Sequence, residues 1–245
     1  MQDHPLAGQV AVVTGAGRGI GRAIAIGYAV AGAHLVCAAR TKAEIDDTAQ
    51  GIRDTGGLAI ACATDVTDPE AVEHLLTTTV EHFGGVDLLV ANAGGNLNTA
   101  PVADSDPAAW MATVTVNLFG VYHCIRAVIP HMRQRGGGKI LTMGSGMGHH
   151  GRPDASAYCC SKAALWMLTR VSAQELWEDG ISVNELIPGP VRTRATRSRD
   201  DDSVFGIGSE WIKQPEDVVP MALFMATQPA TGPTAQSYSL MRRDT

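Results

Sequence analysis

Short apolar runs alternate with longer amphipathic segments along the whole chain. The run at 10–13 is short and rich in valine, as in a buried parallel strand, and the alanine-rich segment at 22–30 indicates a helix. We predict strands near 9–14, 34–39, 58–63, 86–91, 138–143, 181–187 and 234–240. We predict helices near 19–32, 42–56, 68–83, 107–134, 156–179 and 215–227. The alternation predicts an α/β fold with a doubly wound, seven-stranded parallel sheet and helices on both faces.

Turn and cap residues support these boundaries. Thr67-Asp68-Pro69-Glu70 has the composition of a helix start, and the glycines at 32, 56, 84 and 180 follow predicted helices as stop signals. Gly136-Gly137-Gly138 predicts a turn into the fifth strand. Because the sequence contains neither an internal repeat nor a linker, we predict a single domain over residues 1–245.

Composition and charge narrow the class of protein. The 245 residues are 45% hydrophobic, which is enough to build a large core. The net charge of −6 comes without a basic run, so we expect no nucleic-acid partner. No uninterrupted apolar stretch approaches the roughly 18 residues of a membrane span, and the N-terminus lacks the pattern of a secretory signal. We therefore expect a cytoplasmic protein that does not enter a membrane.

Cysteine and histidine usage argues against disulfides and against a metal. The odd set of five cysteines has no C-x-x-C spacing and consists of Cys37, Cys62, Cys124, Cys159 and Cys160. Such a set suits small buried thiols in a reducing cytosol. The adjacent His149 and His150 point in different directions, and no further ligand lies at metal-binding spacing. We predict no metal site.

A glycine-rich segment follows the first predicted strand and opens the first predicted helix. It reads Thr14-Gly15-Ala16-Gly17-Arg18-Gly19-Ile20-Gly21. Glycines permit a sharp turn and let a pyrophosphate approach the amides of a helix N-terminus without a Cβ in the way. An ordinary flexible loop can show the same pattern, but the strand–turn–helix setting favours a nucleotide site.

A second group of candidate residues lies in the other half of the chain. Tyr158 and Lys162 are four positions apart, which places them on one face of a predicted helix, and Ser145 lies thirteen residues before the tyrosine. An ammonium on that face can lower the pKa of a phenol from about 10 and make it a usable proton donor or acceptor. A Tyr-x-x-x-Lys pair is common by itself, so its meaning depends on the glycine-rich segment.

Taken together, these motifs resemble the short-chain dehydrogenase/reductase family over nearly the whole chain. Asp65-Val66 resembles the adenine-contacting pair of the family, and Ala91-Asn92-Ala93-Gly94 resembles its Asn-Asn-Ala-Gly motif with alanine in first place. The segment 187–193 resembles the Pro-Gly segment beside the nicotinamide. The resemblance implies a Rossmann fold, interconversion of a ketone or aldehyde with a secondary alcohol, and a homotetramer with a homodimer as the alternative. It extends to 3-oxoacyl-thioester reductases and broad-range carbonyl reductases.

The resemblance also assigns roles to individual residues. Tyr158 is the expected proton donor or acceptor, with Lys162 lowering its pKa and binding the nicotinamide ribose. Ser145 is expected to hold the carbonyl oxygen, and Asn117 to join a water relay. The implied cofactor-binding residues are Gly15, Gly17, Arg18, Gly19, Ile20, Gly21, Arg40, Thr41, Asp65, Val66, Asn92, Ala93, Gly94, Tyr158, Lys162, Pro188, Gly189, Val191 and Thr193. The candidate substrate residues are Ser145, Met147, His149, His150 and Tyr158, with 95–97 and a lid at 193–209 as additions.

Two arginines bear on the choice of cofactor. Ala39 stands at the end of the second strand, where family members that use NAD carry aspartate, and Arg40 follows it. Arg18 lies in the glycine-rich segment. Two guanidiniums can bind a 2′-phosphate, and no carboxylate is expected nearby to repel it. We therefore favour NADP(H), with NAD(H) as the alternative because both arginines could be solvated.

The sequence departs from the family pattern at two places, and two classes of protein other than an enzyme could carry the same motifs. Residues 236–243 replace the usual Val-Asp-Gly-Gly ending, and Glu185 replaces a small residue and needs a polar partner if it is buried. A non-catalytic NADPH-binding regulator and a scaffolding subunit are the alternatives to an enzyme. The intact set of candidate catalytic residues argues against the first, and the intact glycine-rich segment argues against the second.

Overall fold

Parallel strands form one sheet in the order β3-β2-β1-β4-β5-β6-β7. The computed structural model describes residues 4–193 and 210–241. The strands are β1 (Val10–Thr14), β2 (His34–Ala39), β3 (Ala59–Ala63), β4 (Leu88–Ala91), β5 (Gly138–Met143), β6 (Ile181–Ile187) and β7 (Ser237–Ser239). This confirms the predicted doubly wound parallel sheet. Because the strand order reverses beside β1, the loops after β1 and β4 diverge and leave a crevice at the carboxyl ends of the strands.

Helices cover both faces of the sheet. They are α1 (Gly19–Val30), α2 (Lys42–Asp54), α3 (Pro69–Phe83), α4 (Pro107–Val114), α5 (Gly120–Arg135), α6 (Ser156–Leu176) and α7 (Val219–Ala226). The helix predicted at 107–134 is divided, because the five residues of a π-helix, Thr115–Phe119, separate α4 from α5. The predicted helices at 156–179 and 215–227 each include a short 3₁₀ segment, at Trp177–Asp179 and Pro215–Val218.

Alternation along the strands builds a core on each face of the sheet. On β1, Val13 packs with Ile24 of α1, whereas Val12 packs on the other face with Leu75 of α3 and Val128 of α5. All five residues are fully buried. Successive strand side chains point to opposite faces, so the central strands of a sheet covered on both sides carry apolar residues on both faces. This explains the unbroken apolar runs in the sequence.

The predicted caps are present. Asp68 caps α3, accepting a hydrogen bond from the Glu70 amide at 2.9 Å, with Pro69 in the first turn. The glycines at 32, 56, 84 and 180 adopt φ values of 97°, 89°, 80° and 69°, the left-handed region that ends helices without a steric penalty.

The last strand is shorter than the predicted 234–240. The Val183 amide donates to the Thr234 hydroxyl at 3.1 Å instead of to a backbone carbonyl, so regular pairing with β6 starts only at Ser237. The predicted lid at 193–209 lies outside the described residues apart from Thr193. The single domain, the homotetramer and the cytoplasmic location stay predictions.

One helical run is long and apolar enough to cross a membrane by length and composition alone. This run, Pro107–Arg135, has a mean hydropathy of 1.3 over its most apolar window, of which 44% is buried. Its apolar side contributes Val121, Cys124, Ile125 and Val128 to the core beneath the sheet. Core packing therefore accounts for its hydropathy, as it does for many central helices of α/β folds.

Candidate active site

A cleft of about 1050 Å³ opens at the carboxyl ends of the strands. The predicted site residues that line it are Gly15, Gly17, Arg18, Gly19, Ile20, Arg40, Thr41, Asp65, Val66, Asn92, Ala93, Gly94, Ser145, Met147, His150, Tyr158, Lys162, Pro188, Gly189, Val191 and Thr193. Residues separated by more than 150 positions in the sequence thus line the same cleft. Gly21, Asn117 and His149 do not line the cleft. They contact the loops that do, as described below.

The glycine-rich segment forms the tight turn that a phosphate site requires. Gly15 and Gly19 have φ values of 67° and 56°, which disfavour any side chain. A Cβ on Gly21 would come within 2.4 Å of the Gly15 carbonyl oxygen, so the turn packs directly on the first turn of α1. The N-cap residue Arg18 makes no side-chain cap bond, and the first turn holds no acidic residue. Its amide groups and positive dipole therefore fit an anionic pyrophosphate.

Thr14 joins the glycine turn to the loop after β4. Its hydroxyl accepts hydrogen bonds from the amides of Asn92 and Ala93, each at 3.0 Å. The side-chain amide of Asn92 in turn donates to the Thr14 carbonyl at 2.9 Å. These bonds hold the two loops that frame the crevice at a fixed separation. Thr14 is a site residue that the sequence motifs did not single out.

Asp65 and Arg40 both line the cleft, and the positive charge of Arg40 acts on the Asp65 carboxylate. Burial raises the pKa of Asp65, but hydrogen bonds from the Thr67 amide and hydroxyl and the positive charge of Arg40 outweigh it and lower that pKa. Glu44 was not expected here. Its carboxylate lies 3.9 Å from Arg18 Nε, and Glu44 also lines the cleft. The prediction that no carboxylate lies near the two arginines is therefore wrong, because the first turn of α2 faces the glycine turn.

Tyr158 and Ser145 line the cleft together, and hydrogen bonding by the serine hydroxyl acts on the phenol. Burial raises the pKa of Tyr158, the bond from Ser145 lowers it, and the neighbouring Cys159 raises it, with a net increase. The Ser145 oxygen also accepts from the Met147 amide at 3.2 Å, which fixes the orientation of the hydroxyl. The neutral phenol of Tyr158 and the oriented hydroxyl of Ser145 thus lie in the same part of the cleft.

Lys162 lies beneath the same ring. Its ammonium is 5.7 Å from the centre of the Tyr158 ring and donates to the Met143 carbonyl at 2.7 Å. Burial lowers the pKa of Lys162 to about 8, against the opposing effect of Glu185. The expected spacing of Tyr158 and Lys162 on one helix face is present. The prediction that Lys162 lowers the phenol pKa is wrong in direction, because burial dominates and raises the pKa of Tyr158.

Asn117 sits inside the π-helix and is fully buried. Its carbonyl oxygen accepts from the Gly95 amide at 2.9 Å, and its amide donates to the Gly95 carbonyl at 2.8 Å and to Ser161 Oγ at 3.1 Å. A Cβ on Gly94 would lie 2.6 Å from Asn117 Oδ1 and 3.8 Å from Lys162 Nζ. Asn117 therefore holds the loop after β4 against the start of α6. π-Helical turns often mark such functional positions.

The candidate substrate residues separate into two groups. Met147 and His150 line the cleft, whereas His149 points away from it and contacts Glu185 Oε2 at 3.2 Å. Met241 also lines the cleft and approaches Gly146, although no sequence motif marked it. Of the predicted substrate residues at 95–97, Gly95 and Asn96 line the cleft and Leu97 does not. Further lining residues without a predicted role include Thr99, Val116, Arg152, Asp154 and Glu210.

Comparisons with known proteins agree with this geometry. The sequence profile described as short chain dehydrogenase matches residues 9–203. The chain belongs to the short-chain dehydrogenase family. This short-chain dehydrogenase is 36% identical over 233 residues to cis-4-hydroxycyclohexanecarboxylate dehydrogenase of Sinomonas cyclohexanicum, covering 91% of each chain. It is 33% identical over 236 residues to 7α-hydroxysteroid dehydrogenase of Escherichia coli K12, covering 94% of this chain and 92% of that one.

Solved structures show the same fold. A 7α-hydroxysteroid dehydrogenase in complex with NADH and 7-oxo glycochenodeoxycholic acid superposes with a TM-score of 0.91 at 32% identity, over 97% of this chain and 94% of that one. The short-chain dehydrogenase is thus an oxidoreductase of alcohols and ketones in a family that binds NAD(P). Among the described residues, no group of His, Cys, Asp and Glu is arranged to hold a metal ion.

Proposed function

We propose that this chain is an NADP(H)-dependent oxidoreductase that interconverts a ketone or aldehyde and a secondary alcohol, with Tyr158 as the proton donor or acceptor. One observation supports this most strongly. Ser145, Tyr158 and the buried Lys162 line a single cleft with the glycine turn, and the helix that starts at this turn has no side-chain cap. A proton-transfer group and a dinucleotide site in one cleft are what hydride transfer to a carbonyl requires.

The residues of the chain divide the reaction between them. When bound, the nicotinamide supplies or accepts the hydride. Ser145 donates a hydrogen bond to the carbonyl oxygen, where negative charge develops during reduction. Tyr158 gives its proton to that oxygen, or takes one from the alcohol in the reverse direction. The Lys162 ammonium stabilises the phenolate that Tyr158 becomes, and Asn117 fixes the loop beside Lys162.

Two basic side chains support NADP(H). Arg18 and Arg40 both line the cleft and are exposed, and Ala39 leaves the end of β2 without a carboxylate. Guanidiniums bind phosphate with charge-assisted, bidentate bonds. Glu44 beside Arg18 reduces this preference, since it offers the arginine an internal partner at 3.9 Å. NAD(H) is the alternative cofactor, and Glu44 is the observation that favours it.

Replacing Tyr158 with phenylalanine tests the proposed function. Tyr158→Phe removes the proton donor and keeps the ring, so turnover should fall at least a hundredfold, about 2.7 kcal/mol of transition-state stabilisation, while cofactor affinity is retained. The substrate panel should include cyclic secondary alcohols and ketones, and reduced nicotinamide absorbance reports turnover with NADPH and NADH. Tyr122→Phe is the matched control, because Tyr122 lies on α5 with 45% of its surface exposed.

The outcomes separate the candidate classes. A Tyr158→Phe variant that keeps more than about a tenth of wild-type turnover would remove Tyr158 from the mechanism. Cofactor binding with no turnover on the whole panel would favour the regulator. Faster turnover with NADH than with NADPH at equal concentrations would reverse the cofactor assignment.

A further inference from the structure

Glu185 is a fully buried carboxylate in the middle of β6. Its partners in register are Thr142 on β5 and Ser237 on β7. The Ser237 hydroxyl donates to Glu185 Oε2 at 2.5 Å, and the His149 ring nitrogen Nε2 lies 3.2 Å from the same oxygen. The need for a polar partner, expected from the sequence, is thus met at one carboxylate oxygen.

The other carboxylate oxygen lies directly beneath the Ser145 loop. Oε1 is buried and makes no hydrogen bond within the described part of the chain. A Cβ added to Gly144 would collide with this oxygen, so the carboxylate occupies the space that a side chain before Ser145 would fill. A buried carboxylate with one unbonded oxygen is costly to maintain, and nearby positive charge reduces that cost.

His149 connects this carboxylate to the segment that carries Ser145. Ser145 caps the single 3₁₀ turn Gly146–Gly148, and the His149 amide donates to the Gly146 carbonyl at 3.0 Å. The His149 ring also packs edge-on against Trp166 of α6, with centroids 5.3 Å apart. The segment is therefore held at its start by the bond from the Met147 amide to the Ser145 hydroxyl, and at its end by the contacts of His149 with Glu185 and Trp166.

We propose that Glu185 is a positioning residue for the carbonyl–alcohol reaction, which anchors the Ser145 segment through His149 and sets a negative charge behind the Lys162 ammonium. This inference rests on the proposed function, because it acts through Ser145 and Lys162. The geometry brings the two charges together, because Lys162 Nζ donates to the Met143 carbonyl at 2.7 Å and Glu185 Oε1 lies against the next residue, Gly144. The opposing electrostatic effects at Lys162 agree with this arrangement. Burial lowers the pKa of Lys162 to about 8, and the Glu185 carboxylate raises it against that effect.

Among the described residues, two titratable groups face Glu185 from the elements packed against it. Helix α6 brings Lys162, and the segment after β5 brings His149. The register partners on β5 and β7, Thr142 and Ser237, do not titrate. Removing the Glu185 charge should therefore act on the Lys162 and His149 groups, with a known sign: the ammonium loses a stabilising charge and releases its proton at lower pH.

The variant Glu185→Gln tests the charge while keeping the size and an acceptor for Ser237 and His149. The alkaline limb of kcat/KM for carbonyl reduction should move to lower pH by about one unit. His149→Asn keeps the Glu185 carboxylate but puts a shorter side chain in place of the ring that contacts it. This variant should raise KM several-fold without moving the alkaline limb of kcat/KM. Ser237→Ala is the matched control, because it removes a bond to the same oxygen from the β7 side and should leave both quantities unchanged.

The results distinguish this inference from the proposed function. If Glu185→Gln shows the wild-type limb and the wild-type KM, with a change only in thermal stability, Glu185 is a fold residue and the inference is wrong. If Glu185→Gln does not fold, His149→Asn decides: an unchanged KM overturns the anchor. Failure of the proposed function would appear separately, as a Tyr158→Phe variant that remains active.

Discussion

A methyl group at Gly21 should damage the cofactor site more than the fold. A Cβ there would lie 2.4 Å from the Gly15 carbonyl oxygen and 2.5 Å from Asn92 Nδ2, whereas ordinary contacts begin at 3.4 Å. The glycine turn must therefore move by 3.4 − 2.4 Å, about 1 Å. Gly21→Ala gains about 1 kcal/mol of helix propensity, which offsets part of the roughly 1–3 kcal/mol cost of overpacking.

The displacement should be visible in cofactor affinity. Losing one hydrogen bond to a charged phosphate costs about 1.5–3 kcal/mol, which is roughly ten- to a hundredfold in Kd. Titration calorimetry with NADPH measures the affinity, and thermal unfolding measures the stability. Gly51→Ala is the matched control, because Gly51 lies in α2 with nothing within 4 Å of an added Cβ. It should raise stability slightly and leave Kd unchanged. Wild-type affinity in Gly21→Ala would refute the assignment of this turn to the cofactor.

Two further predictions concern charge. Arg40→Asp should shift the ratio of kcat/KM for NADPH over NADH by at least tenfold toward NADH, because a carboxylate repels a 2′-phosphate. The control Arg126→Asp, on the remote face of α5, should leave this ratio unchanged. An unchanged ratio in Arg40→Asp would exclude a contact between Arg40 and the phosphate. Carbonyl reduction should weaken as pH rises through about 8, because burial lowers the pKa of Lys162 to about 8 and the stabilising ammonium is present only below it. If kcat/KM of the wild-type protein falls only above pH 10, with the cofactor concentration kept constant at every pH, this role of Lys162 is contradicted.

Much of the fold could be predicted because its signals are local. The central strands show short apolar runs, and several helix ends carry a proline, an aspartate or a glycine with positive φ. The position of the cleft could be predicted from the same local signals, because the motifs follow the predicted strands and the carboxyl ends of parallel strands meet at one edge of the sheet. Most of the motif residues therefore line one cleft.

Features that depend on distant contacts could not be predicted. The π-helix around Asn117 is one, because its wider turn is compensated by hydrogen bonds to Gly95 and Ser161, 22 and 44 positions away. Met241 is another, because the chain after β7 carries no periodic pattern yet folds back over Gly146. The carboxylate of Glu44 beside Arg18 was missed for the same reason: it belongs to a different βα unit from the glycine turn.

The electrostatics at Tyr158 show the limit of spacing as evidence. The four-residue separation correctly places Lys162 beside the phenol, 5.7 Å from the ring centre, but it does not determine which effect on the phenol dominates. Burial does, and it raises the pKa of Tyr158, which keeps the phenol protonated at neutral pH. A protonated phenol is the form that donates to a carbonyl oxygen, whereas alcohol oxidation starts from the phenolate. If Tyr158 acts as proposed, oxidation should depend more strongly than reduction on the positive charge of Lys162, and on the buried Glu185 that supports that charge.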